Sequence, residues 1–163
     1  MCCFIAFSAL CAVAALAAPS SGEDVRNVFE QIKSLDKDFL DRVQKIVNDF
    51  ALTRTQIEAE LEKEIKTLPA DQQAVALKIV EFFDSAEKEV IKKLNDKVAI
   101  MTPDAQNVAK QILAAAQDKK LTGKQIREKS SELFNDASDA VKKELESAKK
   151  DLVDLFGDVN IQA

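Results

Sequence analysis

The chain has 163 residues, 47% of them apolar and 31% charged, with only 3 Gly and 3 Pro and no His, Trp or Tyr. So few turn-formers cannot build a sandwich, a barrel or a doubly wound sheet, which leaves a mostly helical chain. A net charge of −5 argues against a phosphate-backbone partner, and the lack of His removes most transition-metal sites and His-dependent triads.

Residues 1–18, MCCFIAFSALCAVAALAA, carry no charge and stop at Pro19-Ser20-Ser21-Gly22. The stretch is short for a stable membrane span. It has the length of a signal peptide, and Ala15-Leu16-Ala17 supplies the small-x-small cleavage pattern. We read 1–18 as a cleaved signal peptide, 19–163 as a single helical domain, and the protein as secreted and extracellular. Cys2, Cys3 and Cys11 all fall in the leader, so the mature chain would fold without disulfides.

In chain order, apolar residues at three- and four-residue steps from Val25 through Ile32, Leu35, Phe39 and Val43 to Val47 predict one long helix over 23–48, which Ser21 and Asp24 can cap. Thr53 followed by Gln56 is a capping box for a second helix, which Pro69 closes. The third runs to about Met101. On it Phe82 and Phe83 point about 100° apart, so it should be covered on more than one side. Thr102-Pro103 opens a fourth helix with a stripe of small residues, Ala105, Ala109 and Ala116. Thr122 and Gln125 repeat the capping box, and a recap at Ser138 starts the last helix, which ends near Gly157. Charged pairs such as Asp38 with Arg42, Glu89 with Lys93 and Glu146 with Lys150 read as solvated faces. The fold expected is all-α, a compact bundle of five or six amphipathic helices.

Two segments share the pattern D-x-x-L-T-x-x-Q-I at an offset of 69 residues, Asp49 to Ile57 and Asp118 to Ile126. Each lies between helices, so the repeating unit is helix-loop-helix. In EF-hand register, Asp49, Leu52, Thr53 and Gln56 take loop positions 5, 8, 9 and 12, as do Asp118, Leu121, Thr122 and Gln125. Position 1 is Lys45 or Ala114, position 6 is Phe50 or Lys119 in place of Gly, and the bidentate Glu is Gln. One carboxylate per loop cannot hold calcium tightly. Two readings stay open. In one, Thr and Gln cap helices and Leu packs inward. In the other, Asp49, Thr53, Gln56, Asp118, Thr122 and Gln125 frame weak, hydrated Mg²⁺ or Ca²⁺ sites.

Over residues 45–148, Ile46-Val47-Asn48-Asp49-x-x-Leu52-Thr53-x-x-Gln56-Ile57-Glu58, Thr102-Pro103-x-Ala105 and Gln117-Asp118-x-x-Leu121-Thr122-x-x-Gln125 resemble the nematode SXP/RAL family. The resemblance implies a secreted helical antigen with a divalent-cation site and no enzymatic activity. Asp36-Lys37-x-x-Leu40-x-x-Val43, Pro103-Asp104-Ala105-Gln106 and the stretch Phe134 to Phe156 are similar to the nematode fatty-acid- and retinol-binding proteins, which implies an apolar ligand as the alternative. No cysteine survives the leader, and no Gly-rich phosphate loop or G-x-S-x-G is present, so we expect no enzyme. The expected partner is a divalent cation or a small apolar ligand, and not nucleic acid.

Overall fold

The computed structural model describes the backbone of residues 22–157 and the side chains of 27–148. Within it the chain is α1 (Gly22–Lys33), α2 (Lys37–Val47), α3 (Arg54–Thr67), α4 (Ala70–Ala99), α5 (Pro103–Gln117), α6 (Gly123–Asn135) and α7 (Asp139–Gly157), with no named strand among the described residues. The all-α reading holds. The expected leader and cleavage site, the Ser21 cap and the Glu146–Lys150 pair lie outside the described residues.

The expected helix over 23–48 is two helices, which makes seven among the described residues where five or six were expected. Asp36 takes an extended ψ of 133°, and its carboxylate accepts the Phe39 amide at 2.9 Å, so it opens α2 as an N-cap. Ser34 closes α1, its hydroxyl donating to the Gln31 carbonyl at 2.7 Å. The apolar stripe continues in phase through the break, and periodicity alone could not reveal it.

At the next corner Leu68 is extended, as the residue before a proline must be, and Pro69 stands at the N-cap of α4. Gln73 ties the corner down by donating its side-chain amide to the Leu68 carbonyl at 2.7 Å. α4 then runs for 30 residues, about 45 Å, and is the axis on which the other elements are placed. It meets α1, α3 and α5, while α5 also packs on α6 and α7.

The larger core lies at the first half of α4. Leu35, Phe39, Ile65, Leu68, Ala76 and Ile79 are buried together, with Val28, Ile32, Leu40, Val43, Val75 and Phe83 packed against them. Phe82 and Phe83 are both half-buried and meet edge to face, ring centroids 5.9 Å apart. Beyond them the buried residues are small: Ala86, Val98, Ala105, Ala109, Ala115 and Val141. Alanines let helix backbones approach closely, which is how α5 fits among three neighbours.

The Thr102-Pro103 boundary falls where expected, with Pro at the start of α5, but the Thr102 hydroxyl does not cap it. It donates instead to Glu144 on α7 at 2.7 Å, and the Thr102 backbone N–H reaches the second oxygen of the same carboxylate at 2.8 Å. Gln106 meanwhile satisfies the last turn of α4, its amide donating to the carbonyls of Ala99 and Met101 at 3.1 and 3.0 Å. Arg42 likewise departs from the local pairing expected with Asp38, bridging from α2 to Glu64 on α3 at 2.7 Å. That hydrogen bond to Glu64 raises the Arg42 pKa above its ordinary value.

Candidate functional site

Both repeated loops are built by the same local chemistry. In the first, Asp49 closes an Asx turn by accepting the Ala51 N–H at 2.9 Å, and Leu52 N–H returns to the Asp49 carbonyl at 3.1 Å. In the second, Asp118 accepts from Lys120 at 2.9 Å, and Leu121 returns to the Asp118 carbonyl at 3.1 Å. A reciprocal capping box follows in each. The Thr53 hydroxyl accepts Gln56 N–H at 3.2 Å while the Gln56 side chain accepts Thr53 N–H at 2.8 Å; for Thr122 and Gln125 the distances are 3.2 and 2.9 Å.

The loops then pair with each other, which nothing in the sequence announced. Thr53 and Thr122 form an antiparallel bridge. Thr55 N–H donates to the Lys119 carbonyl at 3.2 Å, and its equivalent, Lys124 N–H, donates to the Phe50 carbonyl at 3.0 Å. The repeat offset converts each of these bonds into the other, so the two loops are related by a local two-fold axis through the bridge.

Side chains break that symmetry. Phe50 lies across Gly123, where an added Cβ would stand 2.9 Å from the ring and 3.3 Å from the Phe50 Cα. The equivalent of Phe50 is Lys119, whose ammonium grips both oxygens of Glu58 on α3 at 2.8 and 3.2 Å. Glu58 also accepts from Arg54 at 3.3 Å, and the rest of the Arg54 guanidinium forks onto Glu87 of α4. One alternating chain of charge thus links α4, α3 and the second loop. Glu87 raises the Arg54 pKa, while Lys119, helped by Arg54, lowers that of Glu58. A depressed carboxylate contributes above its ordinary value and loses the contribution as pH falls through the folded one. Solvent screening keeps that contribution of the half-exposed Glu58 to a few tenths of a kcal/mol.

The six candidate residues are therefore brought together as two equivalent sets of three. Thr53, Gln56, Thr122 and Gln125 are engaged in capping. Asp49 and Asp118 are exposed, each with one carboxylate oxygen in an Asx turn. Asp49 borders a shallow, solvent-open depression shared with Asp41, Gln44, Lys45 and Asn48. Among the described residues no three carboxylate, Cys or His groups are arranged to hold a metal ion. Sequence reasoning missed Arg54, Glu58, Glu87 and Lys119. The four-residue step from Arg54 to Glu58 was the available signal, whereas the bonds to Lys119 and Glu87 cross between elements.

No family model, curated protein or solved structure matches the chain. Among the described residues no helix is long and apolar enough to cross a membrane.

The double variant Thr53→Ala/Thr122→Ala tests the loops as a joint. Each cap contributes about 1 kcal/mol, and because either single loss already loosens the shared bridge, the pair should lose less than the sum of the single losses in urea unfolding. Strictly additive losses would mean that the loops act separately.

Proposed function

We propose that this chain is an exported, non-enzymatic binding protein of the SXP/RAL type, whose paired loops take a weakly held, hydrated Mg²⁺ or Ca²⁺. The observation that carries the reading is the exposure of Asp49 and Asp118 in identical Asx turns on either side of a two-fold loop pair. The ion would be met by these carboxylates, by loop carbonyls and by its own retained waters, while Thr53, Gln56, Thr122 and Gln125 keep the loops in shape. So few protein ligands place affinity in the sub-millimolar to millimolar range. Titration with Mg²⁺ or Ca²⁺ at constant ionic strength should shift the Asp49 or Asp118 amide resonances in that range. Amides that stay in place would remove the cation from the function.

A second reading, a carrier of fatty acid or retinol, is favoured by Leu77 and Val80, which stand 51% and 38% exposed one turn apart on α4. A fluorescent fatty acid bound there should be displaced by oleate or retinol, and its failure to bind dismisses this alternative.

A further inference from the structure

At the break between α1 and α2 the apolar pattern and the fold disagree. Val28, Ile32, Leu35, Phe39, Val43 and Ile46 follow one another at three- and four-residue steps, and neither Gly nor Pro interrupts the chain between Glu23 and Asn48. This sequence suits a continuous helix of about 39 Å from Gly22 to Val47. The observed chain breaks instead at Ser34–Asp36, where the Asp36 carboxylate caps α2. Among the described residues, α1 packs mainly on α4, through Val28 and Ile32. The side-chain hydrogen bonds shown by its described residues, Gln31 to Asn27 and Lys33 to Glu30, stay within α1. A helix of 12 residues does not hold its shape alone, so α1 depends on that apolar contact.

Straightening the hinge Ser34–Asp36 would carry α1 off the bundle and uncover its seat beside Val75, Ala76, Ile79 and Phe83. The surface that fits this seat without any redesign is α1 of a second copy, because every native contact is then remade between chains. The straight form gains helical hydrogen bonds across the hinge and loses the Asp36 cap and the freedom of two separate molecules. Those opposing changes leave the balance to protein concentration. We propose that this chain forms a reciprocal dimer by exchanging α1, with Ser34–Asp36 as the hinge. The proposal is independent of what the loops bind.

Sedimentation velocity of the chain from residue 19 onward, from micromolar to millimolar, should show a monomer–dimer equilibrium. In a mixed sample of differently labelled chains, filtered NOEs should connect methyls of α1 in one chain to those of α4 in the other. Asp36→Ala removes the cap and inserts the best helix former at both hinges of the dimer, so dimerisation should strengthen about thirtyfold or more. Lys37→Pro does the reverse. Proline fits the first position of α2, and the extended Asp36 before it already has the ψ that proline demands. Inside a continuous helix the same proline is strongly disfavoured, and the dimer carries two such hinges, so dimerisation should weaken about ten-thousandfold with native helical content retained. A wild-type protein that stays monomeric to millimolar concentration overturns the exchange, whether or not Asp36→Ala folds. So does a Lys37→Pro variant that dimerises as well as wild type, or a dimer without NOEs between α1 and α4 of different chains.

Discussion

Phe39→Ala should lower the unfolding free energy by about 3–5 kcal/mol, the cost of removing a buried aromatic ring and leaving most of its volume empty. Phe39 is 4% exposed, and its neighbours in the core come from the α1–α2 connection (Leu35), the end of α3 (Ile65, Leu68) and the first half of α4 (Ala76, Ile79). No single helix can move to fill the gap without abandoning the others. Against a total of about 5–15 kcal/mol for a domain of this kind, the loss is roughly a fifth or more. In urea it should appear as a lower midpoint at unchanged slope. Phe50→Ala is the contrast, since Phe50 is 43% exposed on its loop and should lose no more than about 1 kcal/mol. A Phe39→Ala variant no weaker than Phe50→Ala would mean that the core is centred elsewhere.

Ala105→Leu is expected to cost about 1–3 kcal/mol for the opposite reason, since it adds volume where none is available. Ala105 is 0% exposed in the first turn of α5, close behind the corner that Glu144 clamps onto α7. Three further carbons would have to push α5 away from its neighbours or strain their side chains. Ala114 lies on the same helix but on its exposed side, so Ala114→Leu should fall within about 0.5 kcal/mol of wild type. Thermal unfolding of the two variants side by side checks this. Equal stability would show that the close approach of α5 is not required.

Much of this architecture was legible beforehand because it rests on local signals. Thr53 and Thr122 start helices with Gln three residues on, Pro69 and Thr102-Pro103 mark corners, and Ser138 accepts the Val141 amide at the start of α7. The reading failed where a local signal and the apolar period conflict. At Asp36 the stripe runs on while a single cap interrupts the helix, and Leu35 and Phe39 are buried in one cluster on either side of the break. It failed again where the partner is remote in sequence. Thr102 has a hydroxyl that could cap α5, yet Glu144 takes it, and Arg42 passes over Asp38 for Glu64. The candidate site divides along the same line. The six repeated residues and their capping boxes could be read from spacing, whereas the bridge between Thr53 and Thr122 and the charges that brace it depend on where α4 carries the second unit.

That bridge also constrains the order of assembly. Its two halves are 69 residues apart, while the caps and turns of each loop close over three or four. Local closures form first because they surrender little chain entropy, and joining distant segments must wait for the intervening chain to be ordered. During synthesis the first loop therefore stands with the Phe50 carbonyl and the Thr55 amide unmatched until the ribosome has released Lys124. Through that interval the newborn chain presents an unpaired backbone edge, so the rate at which α4 and α5 emerge governs how long it is open to mispairing.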